Sequence, residues 1–289
     1  MKTKIFLPLI LLSVASGIGS LVMFWKPGGN VMWLGAAIAV LPLPLLLMVV
    51  TNFSKKAGTN AKLPIIQALS LGGLATVIAT IYSQQIGLTE HAIVALAIAA
   101  FGAIFAQWFI RVFSKYGRKK SGVIVRGQAL PKMSFTRLNG SIIDSDSFTG
   151  SKTLLVFFRA NWCPFCMNQL KEVIASVNQL KKNSVQVKFI SNQGIERSKQ
   201  LEEKLNLAME SKVHQPTGFE ILQDNDLRVA RTLGIEDIGG APAMPGYPPD
   251  TVMATVIALD EDGNVLFGDE TDNYRVRPHP STFLHVFNK

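Results

Sequence analysis

Long apolar blocks fill the chain up to about Phe113, and after about Lys120 the apolar positions break into short runs separated by polar turns. A helix needs about 20 mostly apolar residues to cross a bilayer core. Four blocks reach that length, at residues 5–25, 31–50, 64–86 and 92–113, and none carries a charge before Arg111. Pro42 and Pro44 interrupt the second block and predict a kink there, because each removes a backbone donor from the helical ladder. Trp25, Trp33 and Trp108 lie near block ends, where indoles favour the membrane interface. Gly72-Gly73, and Ala99-Ala100 with Gly102, predict close helix–helix approach.

The second half alternates between strand and helix patterns. Residues 153–159 (TLLVFFR) form a continuous apolar run that suits a strand buried on both faces. Leu170, Val173, Ile174, Val177 and Leu180 then recur at helical spacing. Strands are expected at 185–190 and 219–222, with helices at 196–209 and 227–233. Residues 252–259 and 264–267 read as two strands joined by the turn Asp260-Glu261-Asp262-Gly263, and a short helix is expected at 281–287. This order predicts an α/β domain, a mixed sheet flanked by helices, preceded by a four-helix transmembrane domain. The expected division is 1–113 for the membrane domain, 114–126 for a basic linker and 127–289 for the α/β domain.

Charge divides at the same place. Residues 1–120 hold eleven Lys or Arg and one acid, Glu90; the rest hold 18 bases and 19 acids. The basic excess therefore flanks the apolar blocks and does not indicate nucleic-acid binding. Lys2 and Lys4, then Lys55, Lys56 and Lys62, then Arg111, Lys115, Arg118, Lys119 and Lys120 all fall on one side of the four spans; the other side receives Lys26 and Glu90. The positive-inside rule then predicts a multi-pass protein of a bacterial-type inner membrane with its C-terminal domain in the cytoplasm. The rival reading of the first block is a signal peptide cut near Ala15-Ser16, but the apolar run continues to Trp25, longer than a signal core of 7–15 residues. With no cysteine and only His91 in the first half, neither a thiol relay nor a bis-histidine haem is expected there. An anchor in the lipid bilayer is the reading that remains.

The chain has two cysteines, Cys163 and Cys166. They are spaced as CxxC at the end of the first buried strand and the start of a helix, with Pro164 suited to the first helical turn. A thiol at a helix N-terminus meets unpaired N–H groups and the positive end of the dipole, both of which favour thiolate. A second sulfur one turn on can resolve a mixed disulfide. Cys163 is expected to be the attacking thiolate and Cys166 the more buried sulfur of higher pKa. Arg159 is either a further positive charge beside the site or a strand-end residue facing solvent, and Trp162 is expected as a surface platform beside the sulfurs. The competing readings of CxxC are half a zinc site completed by two of His214, His279 and His285, or two inert thiols. No cofactor or metal is expected.

The segment GQALPKMSFTRLNGSIIDSDSFTGSKTLLVFFRANWCPFC, from Gly127 to Cys166, resembles the opening of the redoxin family, which includes the alkyl hydroperoxide reductase/thiol-specific antioxidant proteins. The shared pattern is an opening strand, the Asn139-Gly140 turn, Gly150 before the core strand, and WCxxC. The DEDGNV turn and Asp272-Asn273-Tyr274-Arg275 with Arg277-Pro278 resemble the peroxiredoxin-like branch. The resemblance covers about residues 125–289 and implies a thioredoxin-like fold. It implies either a thiol–disulfide oxidoreductase acting on protein thiol or disulfide clients, the favoured reading, or a thiol peroxidase reducing peroxide; both need a thiol reductant. A third reading is a redox sensor or assembly factor without catalytic activity. Thioredoxin-like sites carry a cis-proline, and peroxiredoxins an arginine, near the position of Ala254, and neither residue stands there. Laid over the peroxiredoxin Pro-x-x-x-Thr-x-x-Cys loop, Arg159 falls at the proline, Cys163 at the threonine and Cys166 at the peroxidatic cysteine. As a thioredoxin site WCPFC matches in full, with Cys163 as nucleophile.

Overall fold

A computed structural model describes the whole chain except residues 1, 54–56, 211–217, 243 and 289. It divides into two compact units, one of Met1–Ser54 with Asn60–Lys115, the other of Tyr116–Lys289 with a short segment whose described residues are 57–59.

The first unit is helical: α1 (Lys2–Trp25), α2 (Val31–Val40), α3 (Pro42–Asn52), α4 (Pro64–Ser83) and α5 (Glu90–Trp108), the last continuing as a π-turn over Phe109–Phe113. The Asn30 side chain caps α2 by accepting from the Met32 amide at 2.9 Å, and Thr89 caps α5 through the Ala92 amide at 3.3 Å. The expected kink is present: α2 and α3 meet at Leu41 with a bend of 43°. Pro42 and Pro44 cannot donate to the carbonyls of Ile38 and Val40, so the ladder breaks there. Helices approach closely where side chains vanish. A Cβ on Gly35 would stand 2.9 Å from the Gly73 carbonyl oxygen. Among the described residues three helices are long and apolar enough to cross a membrane, and up to four spans result if the bent pair counts as one. Leu7, Leu11, Ile65 and Ile104 project outward, all more than 60% exposed. A continuous apolar surface of this kind is unfavourable in water.

The second unit is the mixed sheet flanked by helices that the strand–helix alternation predicts. Its elements are β1 (Ser134–Arg137), β2 (Ile142–Asp144), β3 (Thr153–Phe157), α6 (Pro164–Ala175), α7 (Val177–Lys182), β4 (Gln186–Ser191), α8 (Ile195–Glu210), β5 (Phe219–Gln223), α9 (Arg228–Thr232), β6 (Glu236–Asp237), β7 (Thr251–Val252), β8 (Thr255–Leu259), β9 (Val265–Asp269) and α10 (Ser281–Leu284). The main sheet runs β2-β1-β5-β4-β3-β8-β9. β3, β4 and β5 are parallel, while β8 runs antiparallel to β3 with Phe157 opposite Thr255. All five residues of β3 are buried, as the unbroken apolar run requires. Burying each of its large side chains contributes about 1.5–3 kcal/mol. The hairpin of β1 and β2 turns on Asn139-Gly140, where Gly140 has φ of 87° and supplies the left-handed conformation a side chain would resist.

Two expectations are corrected. The single strand expected over 252–259 is two short ones, because Met253 and Ala254 leave the ladder to cross the end of the sheet. Residues 116–126, expected to act as a linker, are part of the second unit. The Tyr116 amide donates to the Asp272 carbonyl at 2.8 Å, and the Arg118 amide donates to the Asp272 carboxylate at 2.7 Å. The Arg118 guanidinium is buried against Glu270 and donates to Thr255 Oγ1 at 3.0 Å. Arg118 is consumed by a fixed acid while Lys119, Lys120 and Arg126 stay exposed, so charge alone does not make the segment a tether.

Candidate thiol site

β3 delivers the chain to the C-terminal edge of the parallel strands, where Phe158 to Trp162 turn it into α6. Cys163 is the N-cap of α6 and Pro164 its first residue. The Cys163 sulfur accepts from the Cys166 amide at 3.3 Å, the bond a capping side chain makes to the third helical N–H. Both thiols are free, Cys163 at 2% exposure and Cys166 at 0%.

Two buried guanidiniums face the pair. Arg277 Nη2 lies 3.6 Å from the Cys166 sulfur as a donor, and its Nη1 donates to the Val276 carbonyl at 3.2 Å. Arg159 is 7% exposed, so it is not a solvent-facing strand end. Its guanidinium lies over the rings of Trp162, Tyr274 and Tyr116, at 4.8, 5.4 and 5.8 Å from their centroids. It also donates to the Gly240 carbonyl and pairs with Asp237 at 3.4 Å. Trp162 is half-buried and forms one wall of this aromatic box. The Nε atoms of Arg159 and Arg277 are buried without a hydrogen-bond partner among the described residues.

These groups sort the two sulfurs. Burial opposes ionisation of Cys166, but four effects outweigh it and push its pKa well below the ordinary thiol value. They are the Cys163 S–H bond, the Arg277 charge, a backbone hydrogen bond from Arg159 and the Arg159 charge. Cys163 moves the other way. Burial and its bond to Cys166 hold its proton on, and the arginines do not compensate. The expectation of a low pKa on Cys163 and a high one on Cys166 is thus reversed. The helix start supplies one amide to Cys163, whereas Cys166 has a guanidinium and an amide aimed at it. Burial alone would weaken the Arg277 cation, but the Cys166 thiolate it faces and bonds favours the charged form, and its pKa is raised, so it stays charged. Burial raises the Tyr116 pKa and keeps that phenol neutral.

The arginine that seemed missing near Ala254 is therefore supplied from elsewhere, by Arg277 beyond β9 and Arg159 at the end of β3. The Ala254 amide, at the start of β8 beside the site, donates to the Tyr116 hydroxyl at 3.2 Å. Arg277 stood in a stretch noted for its resemblance, but without a role. Tyr116 is hidden in a basic run, where a lone aromatic among Lys and Arg was its only signal. Of the histidines weighed for zinc, His214 lies outside the described residues. Among the described residues no group of three or more His, Cys, Asp or Glu is gathered to hold a metal ion.

Residues 126–267 match the AhpC/TSA family. Comparison with curated protein sequences returns no significant match. Solved structures with a similar fold include a cysteine-to-serine mutant of peroxiredoxin 6 from Arenicola marina, at 18% identity and TM-score 0.48 over 57% of this chain and 72% of that one. Another is peroxidoxin BcpB from Mycobacterium tuberculosis, at 13% identity and TM-score 0.44 over 59% of this chain and 97% of that one. A third is reduced Prx3 of Vibrio vulnificus in complex with hydrogen peroxide, at 20% identity and TM-score 0.45 over 56% of this chain and 98% of that one. Residues 126–267 thus form an AhpC/TSA-like domain, built on the mixed sheet flanked by helices described above.

Proposed function

We propose that the protein is a membrane-anchored thiol peroxidase in which Cys166 is the peroxidatic thiolate and Cys163 the resolving thiol. The observation that carries this reading is the Arg277 guanidinium on the Cys166 sulfur, inside a site where both sulfurs are buried. A small hydroperoxide suits such a site, whereas a folded disulfide client needs an exposed attacking sulfur. The Cys166 thiolate attacks one peroxide oxygen; the S–O bond forms, the O–O bond breaks, and the leaving oxygen departs as water or alcohol after taking a proton. Cys166 becomes a sulfenic acid. Cys163 then attacks that sulfur, a disulfide forms, and the sulfenic oxygen leaves as water with the Cys163 proton. An external dithiol returns the two electrons. The unpartnered Nε–H groups of Arg159 and Arg277 are donors available to the peroxide oxygens.

The apolar helices support anchoring in a bilayer, and the one-sided loading of Lys and Arg supports a cytoplasmic thiol site. A second reading, the thiol–disulfide oxidoreductase with Cys163 attacking, draws support from the Cys163 sulfur capping α6.

One experiment separates the two. In detergent, Cys163→Ser should consume a single equivalent of hydrogen peroxide and carry sulfenic acid on Cys166, trapped by a dione reagent. Cys166→Ser should consume none. Mixed disulfides with other proteins accumulating on Cys166→Ser, with no sulfenic acid on Cys163→Ser, would favour the oxidoreductase instead.

A further inference from the structure

Residues 57–59 stand more than 100 positions from the thiols in sequence, yet they group with the thiol unit and touch two elements that build the site. The Ala57 amide donates to Glu172 Oε1 at 2.9 Å, and Glu172 lies on α6, the helix that Cys163 caps. The Thr59 amide donates to the Arg275 carbonyl at 2.9 Å, and Arg275 Nη1 donates back to Thr59 Oγ1 at 2.8 Å. Arg275 is fully buried, so these bonds form away from competing water. Between them, Gly58 presses on the chain just beyond Arg275. A Cβ there would stand 3.0 Å from the Arg277 amide nitrogen and 3.3 Å from its carbonyl oxygen. Arg277 in turn donates to Cys166.

We propose that residues 57–59 are a positioning element for Arg277. The segment fixes the backbone from Arg275 to Arg277 against α6, and so sets the guanidinium on the Cys166 sulfur. This inference rests on the reading of Cys166 as an arginine-stabilised thiolate, and goes beyond it by assigning the alignment to a segment outside residues 126–267. The geometric reason is that a guanidinium–thiolate contact at 3.6 Å loses most of its effect when the donor shifts by about an ångström, since a hydrogen bond weakens steeply with distance and angle. Gly58 is needed because any side chain would push the Arg277 peptide away. Thr59 is needed because it holds Arg275 through both its amide and its hydroxyl.

The test uses the full-length protein in detergent micelles, with iodoacetamide as probe and fragmentation mass spectrometry to assign alkylation to Cys166. In Gly58→Val the rate at pH 4, below the folded Cys166 pKa of about 5, should fall about tenfold, the change expected for a pKa rise of about one unit. In Thr59→Val it should fall about threefold by the same relation. Thr59→Ser keeps the hydroxyl and should retain the wild-type pH profile, an outcome that a loss of general packing would not give. Arg277→Met serves as the reference for complete loss of the contact. Wild-type pH profiles in Thr59→Val and Gly58→Val, alongside a shifted profile in Arg277→Met, would overturn the positioning role while leaving the thiolate reading intact. An unshifted Arg277→Met would overturn that reading and this inference together. If Gly58→Val does not fold, Thr59→Val against Thr59→Ser decides the matter.

Discussion

Arg277→Met should lower the second-order rate of peroxide consumption by about two to three orders of magnitude, the range seen when a preorganised charge-stabilising donor is removed from a buried site. Methionine fills much of the same volume, so the loss should appear as chemistry before it appears as unfolding. Two effects act together. The Cys166 thiolate loses the guanidinium that helps offset its burial, and the peroxide loses the neighbouring Nε–H. Arg277→Lys should fall between the two proteins, because an ammonium keeps the charge but not the planar fork. Stability should change as well, with a definite sign. A thiol whose folded pKa is depressed contributes stability that is present above its unfolded pKa and is lost as pH falls through the folded value. Reduced wild-type protein should therefore lose stability on acidification from the ordinary thiol range downward, and Arg277→Met should show a flatter profile. Stopped-flow peroxide consumption and pH-dependent melting of the reduced protein measure both. A wild-type rate in Arg277→Met would contradict the arrangement.

A fragment beginning at Gly127 should be at least tenfold less active toward peroxide than one beginning at Lys115 and should melt lower. The shorter fragment loses Tyr116, whose hydroxyl takes the Ala254 amide and whose ring flanks Arg159, and it loses Arg118. Arg118 is buried against Glu270, and the Ser121 amide donates to the same carboxylate. Removing one member of a buried ion pair costs about 3–5 kcal/mol where the remaining charge stays buried. Melting temperatures and peroxide rates of the two fragments check this. Equal activity and stability would mean that residues 115–126 are the tether that their basic composition suggests.

The fold was largely legible from periodicity. TLLVFFR can only be a strand covered on both sides, and WCPFC after it marks the turn into a helix, so β3, α6 and the thiol pair follow from a dozen residues. The apolar blocks and the break at Pro42 were equally plain, because proline has one local consequence in a helix. What stayed hidden was everything long-range. Arg277 reaches Cys166 across 111 positions, and nothing in the local pattern of Arg275-Val276-Arg277-Pro278 says which guanidinium turns inward. Tyr116 and Thr59 were invisible for the same reason, since each acts through a backbone or hydroxyl partner that only folding supplies. That also explains the reversed order of the sulfurs. A helix N-terminus favours Cys163 by a rule readable from sequence, but the arginine that decides for Cys166 is a tertiary feature.

The most direct measurement is the alkylation rate of each cysteine in the reduced full-length protein as a function of pH, with iodoacetamide and site assignment by fragmentation mass spectrometry. An ordinary thiol, with a pKa of about 8.5, is less than about 1% ionised at pH 6. The account predicts that Cys166 still reacts at pH 6 at close to its plateau rate, while Cys163 stays unreactive until the solution is well alkaline. A Cys163 that is alkylated at pH 6 while Cys166 is protected would contradict it, and would return the attacking role to the sulfur at the start of α6.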